Sequence, residues 1–187
     1  IPLNPKILFN KAVMLDEFKE YNKAIDIYNT LLKTETNNMD IYINKAKILK
    51  SVKKNKEAID CLNTAIKINP KCAIAYNNLG NIYYSENKFK EALDCFDKAI
   101  GINPKIAVFY YHKANALDEL EKVEEAIEFY NRAIAINPKY IAAWNNKADA
   151  LRRLNNISEA IKCFDSILSI DPNNIQATGC KDLLRKK

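Results

Sequence analysis

The chain has 187 residues, of which 48% are apolar and 28% charged, with a formal net charge of +6. This composition excludes a disordered polymer, and no apolar run approaches the roughly 20 residues needed to span a bilayer. Five cysteines in no clustered spacing argue against a disulfide scaffold and for a reducing, cytoplasmic setting.

The charge is unevenly placed. It is 0 over residues 5–38, +5 over 39–72, 0 over 73–106, −2 over 107–140, 0 over 141–174 and +3 over 175–187. One basic block and one basic tail do not make the continuous stripe expected of a nucleic-acid binder.

Taken in chain order, residues 1–4 open with Ile1-Pro2 and no initiator methionine. Pro2 lies 68 residues before Pro70, so residues 1–4 read as the tail of a preceding repeat and the chain as an excerpt of something longer. The first block, 5–38, carries Leu8, Ala12 and Ala24. The second, 39–72, carries Tyr42, Ala46 and Ala58 and closes on Ile-Asn-Pro-Lys ending at Lys71. The third, 73–106, has Tyr76, Leu79-Gly80, Tyr83, Ala92, Phe96, Ala99 and Pro104. The fourth, 107–140, has Tyr110, Ala114 and Ala126 and closes at Lys139; the fifth, 141–174, has Trp144, Ala148, Ala160 and Pro172. Three registers therefore recur every 34 residues: a large apolar residue, a small residue four later, and an alanine twelve after that.

Each block predicts two amphipathic helices, because its apolar residues fall at helical spacing. Small residues at fixed sites let helix backbones approach, and the large ones fill the neighbouring layer. The proline ends the second helix, since it lacks an amide donor and disfavours α conformation in the residue before it. A helix of about 14 residues would be about 21 Å long. Residues 175–187 predict one further helix with a charged exit at Arg185-Lys186-Lys187, either a capping helix or a truncated sixth repeat.

This pattern resembles the tetratricopeptide repeat (TPR) over nearly the whole chain, most fully from Tyr76 to Pro104. The first block departs from it with Thr36 at the proline site and Leu31 at the last alanine site, and the fifth with Ile167 at that alanine site. The resemblance implies an all-α fold: a right-handed α-α superhelix, or TPR solenoid, of five helix-turn-helix repeats. First helices would line its concave face and second helices its outer face.

Catalysis is not expected. The three glycines are isolated, His112 is the sole histidine, and no Gly-x-Ser-x-Gly or Cys-x-x-Cys sequence occurs, so no cofactor or metal site is expected. Cys61, Cys95 and Cys163 share one repeat site, with Ile27 and Phe129 in the other blocks, and read as small packing residues.

On the concave face implied by the resemblance, Asn10, Asn44, Asn78, His112 and Asn146 form one column. Val13, Lys47, Asn81, Asn115 and Asp149 form a second, one turn on. A carboxamide offers donors and an acceptor to an extended peptide backbone, and the arrangement is similar to the asparagine ladder of O-linked N-acetylglucosamine transferases. Asn77 is placed on the same face, and Lys50 and Arg152 flank it. These residues, apart from Val13, are the candidate peptide-binding set. Asparagine is common in the chain, at 24 of 187 residues, but turns do not account for a column inside helices.

The expected function is a protein-protein interaction scaffold that holds a partner peptide or helix in the concave groove. The alternatives are a substrate-recruiting arm of a larger, glycosyltransferase-like enzyme and, less favoured, an RNA binder using Lys47, Lys50, Lys53, Lys54 and Lys56. Co-chaperone members of the family clamp a chaperone's terminal carboxylate with lysine at the fifth repeat position. Here that position holds Phe9, Ile43, Asn77, Tyr111 and Asn145, so no such clamp is expected.

Overall fold

A computed structural model describes residues 4–185; Pro2, Lys186 and Lys187 lie outside the described residues. Among these there are eleven α-helices and no strand. They are α1 (Pro5–Glu17), α2 (Tyr21–Leu31), α3 (Met39–Ser51), α4 (Asn55–Ile68), α5 (Ala73–Ser85), α6 (Phe89–Ile102), α7 (Ala107–Glu119), α8 (Val123–Ile136), α9 (Ile141–Arg153), α10 (Ile157–Ile170) and α11 (Ile175–Arg185). The odd-numbered helices each begin 34 residues after the last, so the sequence period is a period of structure. The chain divides into two compact units, Ile1–Glu86 and Asn87–Lys187, with the boundary in the turn between α5 and α6.

The turns explain where the helices stop. After each first helix one residue takes a left-handed backbone: Lys19, Lys53, Asn87, Glu121 and Asn155, with φ of 58° to 61°. In the first turn Lys19 N donates to Asp16 O at 3.0 Å and Glu20 N to Leu15 O at 2.8 Å. This is a Schellman cap, which satisfies the last helical carbonyls by folding the chain back. The same pair of bonds recurs at Lys53-Lys54, Glu121-Lys122 and Asn155-Asn156.

The second helices end differently. Asn69, Asn103, Asn137 and Asp171 are extended, at φ −131° to −139°, as the residue before proline must be. Each side-chain oxygen accepts from the backbone N–H two residues on, at 3.0–3.3 Å. These Asx turns account for part of the asparagine content. The first block lacks the Asn-Pro pair, and its α2 is 11 residues long where the later second helices have 14.

The small residues sit where helices meet. Ala12, Ala24, Ala58, Ala114, Ala126, Ala148 and Ala160 have no exposed surface. In the first unit Ala12 and Ala24 pack with Tyr28, Leu31, Ile41 and Ile48. In the second, Ala114 and Ala126 pack with Tyr110, Leu117 and Tyr130, and Ala148 and Ala160 with Phe164, Ile167 and Leu184. Burying each large side chain contributes roughly 1.5–3 kcal/mol. The aromatic four before the small residue also ties down the preceding turn: Tyr42 donates its hydroxyl to Thr36 O at 3.1 Å, and Trp144 Nε1 donates to Pro138 O at 2.9 Å.

Candidate functional site

In the first unit the first helices α3 and α5, with Leu62 from α4, enclose a cavity of about 250 Å³ lined by Ala46, Lys47, Lys50, Leu62, Asn78, Asn81 and Ile82. Its floor is apolar, with Leu62 and Ile82 buried, and its polar groups are four of the residues picked out in the sequence. Lys47 Nζ lies 2.8 Å from Asp16 Oδ2 on α1. Lys50 is half-buried and pairs with no carboxylate among the described residues. Burial alone lowers its pKa, since desolvation disfavours the ammonium form.

The second unit has a cavity of about 560 Å³ lined by Asn145, Asn146, Ala148, Asp149, Arg152, Phe164, Gln176, Cys180, Leu183 and Leu184. Adding 102, three repeat periods, to each residue of the first cavity gives Ala148, Asp149, Arg152, Phe164, Cys180, Leu183 and Leu184, and all seven line the second. The two cavities are the same site of the repeat in two units. Their chemistry differs. Cys180 and Leu183 stand in place of Asn78 and Asn81, and Arg152 bonds Asp149 through Nε at 3.1 Å and Nη2 at 2.7 Å.

The remaining candidates scatter. Asn10 is exposed on α1 and lines neither cavity. Asn44 donates Nδ2 to Asp40 O of its own helix at 2.8 Å, so one of its donors already has a partner. His112 lies 5.6 Å, ring to ring, from Phe96 and 5.7 Å from Tyr111. Asn115 and Asn146 are brought together: Asn146 Nδ2 donates to Asn115 Oδ1 at 2.9 Å and approaches the Tyr111 hydroxyl at 3.3 Å. The Tyr130 hydroxyl donates to the same Asn115 oxygen at 2.7 Å.

Asn77 corrects an expectation. It was placed on the ligand-facing surface, yet only 6% of it is exposed. The fifth position of α5 faces inward, because it lies between the buried Ala73 and Gly80 along the helix surface. None of the buried side-chain polar atoms among the described residues lacks a hydrogen-bond partner.

Sequence reasoning missed Leu183, Cys180 and Phe164 as cavity residues, and Tyr111 and Tyr130 as partners of the asparagines. Carrying the 34-residue register past Asn146 and Asp149 points to Cys180 and Leu183. Nothing in the sequence pairs Tyr130 with Asn115. Cys61, Cys95 and Cys163 are buried and free, and burial raises their thiol pKa values, to about 11 for Cys95. Among the described residues no group of three His, Cys, Asp or Glu side chains could hold a metal ion, and no helix is long and apolar enough to cross a membrane.

Three family models match the chain, each described as a tetratricopeptide or TPR repeat, over residues 46–85, 73–106 and 119–180. Among solved structures, MamA is 24% identical, with 88% of this chain and 96% of that chain covered and a TM-score of 0.77. YrrB, described as a TPR protein with an unusual peptide-binding site, is 24% identical over 85% of this chain and 82% of its own, with a TM-score of 0.70. A thermophilic TPR protein of Thermus thermophilus is 14% identical, covering 98% of this chain and all of that one, with a TM-score of 0.78. No curated protein matches the chain.

Proposed function

This chain belongs to the tetratricopeptide repeat family, whose repeats are protein-interaction scaffolds, and we propose that it is a non-catalytic scaffold holding an extended peptide of a protein partner against its first helices. The observation that carries this reading is the cavity of Lys47, Lys50, Asn78 and Asn81 over the apolar floor of Leu62 and Ile82. Such a site buries part of a ligand and fixes its orientation with a few polar groups. Asn78 and Asn81 each offer donors and an acceptor to a peptide backbone. The peptide-binding site ascribed to YrrB agrees with this use of the fold.

The experiment is selection of peptides from a random display library on the full chain, followed by calorimetric titration of an enriched peptide. Asn78→Ala is expected to weaken that peptide about fivefold, the net scale of a neutral hydrogen bond, near 1 kcal/mol. The unfolding midpoint should be unchanged. A library that yields no binder, or a binder indifferent to Asn78→Ala, defeats the proposal.

A further inference from the structure

Lys50 is set apart from its neighbouring cation and from the charged residues at the corresponding repeat positions. Lys47, one turn away on α3, is held by Asp16. At the repeat positions that correspond to Lys50, Asp118 pairs with Arg153 and Arg152 pairs with Asp149. Lys50 alone of these charged residues is both drawn into a cavity and left without a carboxylate. A cation withdrawn from water loses hydration that only an anion or several acceptors can replace. The polar lining beside it is the ammonium of Lys47 and the carboxamides of Asn78 and Asn81, each of which offers an NH2 donor group as well as an acceptor oxygen.

An apolar side chain would leave that ammonium desolvated and unpaired, and a second cation would be repelled. A carboxylate satisfies all of it, because it accepts several hydrogen bonds and those from charged donors are the stronger kind. The volume of about 250 Å³ admits one side chain and not a folded segment. In the corresponding cavity of the second unit the cation is already neutralised within the protein and both asparagines are replaced by Cys180 and Leu183, so the preference is specific to the first unit.

We infer that the cavity of Lys47, Lys50, Asn78 and Asn81 takes the carboxylate side chain of an aspartate or glutamate in the bound peptide. This rests on the peptide-binding reading above and adds the chemistry of one ligand residue. It differs from a clamp on a chain-terminal carboxylate, for which the lysine at the fifth repeat position is lacking.

The test is an NMR titration of the full chain with N-acetyl-glutamate-N-methylamide and, separately, its glutamine counterpart. The glutamate probe is expected to shift the Lys50 ε-methylene and the Asn78 and Asn81 side-chain amides, and the glutamine probe to leave them in place. Lys50→Gln should weaken the glutamate probe about tenfold, the scale of a lost charge-assisted bond, while Lys50→Arg restores binding. Equal response to both probes, or wild-type response in Lys50→Gln, overturns the inference. So does displacement of the glutamate probe by oligouridylate with steep salt dependence, which would mark a phosphate site. In the display selection, enriched peptides without a fixed acidic residue overturn this inference alone and leave peptide binding standing. A selection without binders overturns both.

Discussion

Tyr130 on α8 donates its hydroxyl to the Asn115 carboxamide oxygen at 2.7 Å, and that oxygen also accepts from Asn146 on α9 at 2.9 Å. One acceptor thus ties together three helices, α7, α8 and α9, in the second unit. Tyr130 is 1% exposed, so its bond is shielded from water. Tyr130→Phe is expected to lower stability by about 1 kcal/mol, the net scale of a hydrogen bond. A double-mutant cycle of Tyr130→Phe with Asn115→Ala, followed by urea unfolding, should show coupling of roughly 0.5–1.5 kcal/mol. Additive single effects would mean that the bond contributes nothing.

The left-handed turn residues give a graded prediction. Glu121 and Lys53 hold φ of 60° and 61° with a side chain that disfavours it, whereas Asn155 at 58° is of a type that tolerates it. Glycine removes the Cβ strain but loses more freedom on folding, roughly 0.5–1 kcal/mol. Glu121→Gly and Lys53→Gly should therefore stabilise the chain by about 0.5 kcal/mol, and Asn155→Gly should be near neutral. Chemical denaturation of the three variants checks the order. A larger gain at Asn155 than at Glu121 would contradict the strain account.

The helices were legible in the sequence because their determinants repeat. Ala12, Ala46, Ala114 and Ala148 mark first helices, and Pro70, Pro104 and Pro138 mark the ends of second ones, through packing and backbone rules that act locally. The left-handed turns were not legible, since Lys19, Lys53 and Glu121 carry no glycine signal and the conformation is imposed by the Schellman bonds. The candidate site was legible in part. Periodicity picked Lys47, Asn78 and Asn81, the charge flanking that face picked Lys50, and the fold brings all four to one cavity. Periodicity also placed Asn77 on the ligand-facing surface, though it lies between the buried Ala73 and Gly80 on α5, and picked Asn44, whose amide turns back to Asp40. Register places a residue on a helix but does not decide what its side chain bonds.

Gly179 sits within α11, and a Cβ built there meets nothing within 4 Å. Gly179→Ala should therefore recover helix propensity without a clash, stabilising α11 by about 1 kcal/mol or somewhat less. Amide hydrogen exchange across residues 175–185 should slow accordingly. Unchanged or faster exchange would show that this helix is limited by something other than its backbone entropy.

Cysteine reactivity should separate by burial. Cys61, Cys95 and Cys163 are buried with raised pKa values, and Cys180 is partly exposed beside Leu183. Since the thiolate is the reactive form, iodoacetamide on the native chain is expected to modify Cys180 first and the buried thiols of Cys61, Cys95 and Cys163 only on unfolding. Mass mapping of a timed reaction checks this. Early label on Cys95 would show that the second unit opens more readily than its packing suggests.

Tyr28 makes the first unit sensitive to alkali. It is 1% exposed, and burial, reinforced by the Asp16 charge, raises its hydroxyl pKa from 10.0 to about 12. The folded state thus retains the phenolic proton that the unfolded chain gives up near pH 10. The native form binds more protons in that interval, so stability falls as pH rises. The contribution is fully present below pH 10 and lost progressively between pH 10 and about 12, amounting to roughly 2–3 kcal/mol at two pKa units. Tyr28→Phe has no proton to lose, and its urea midpoint should decline less steeply than wild type over that interval. Parallel declines in the two proteins would show that Tyr28 ionises as freely in the fold as in the unfolded chain.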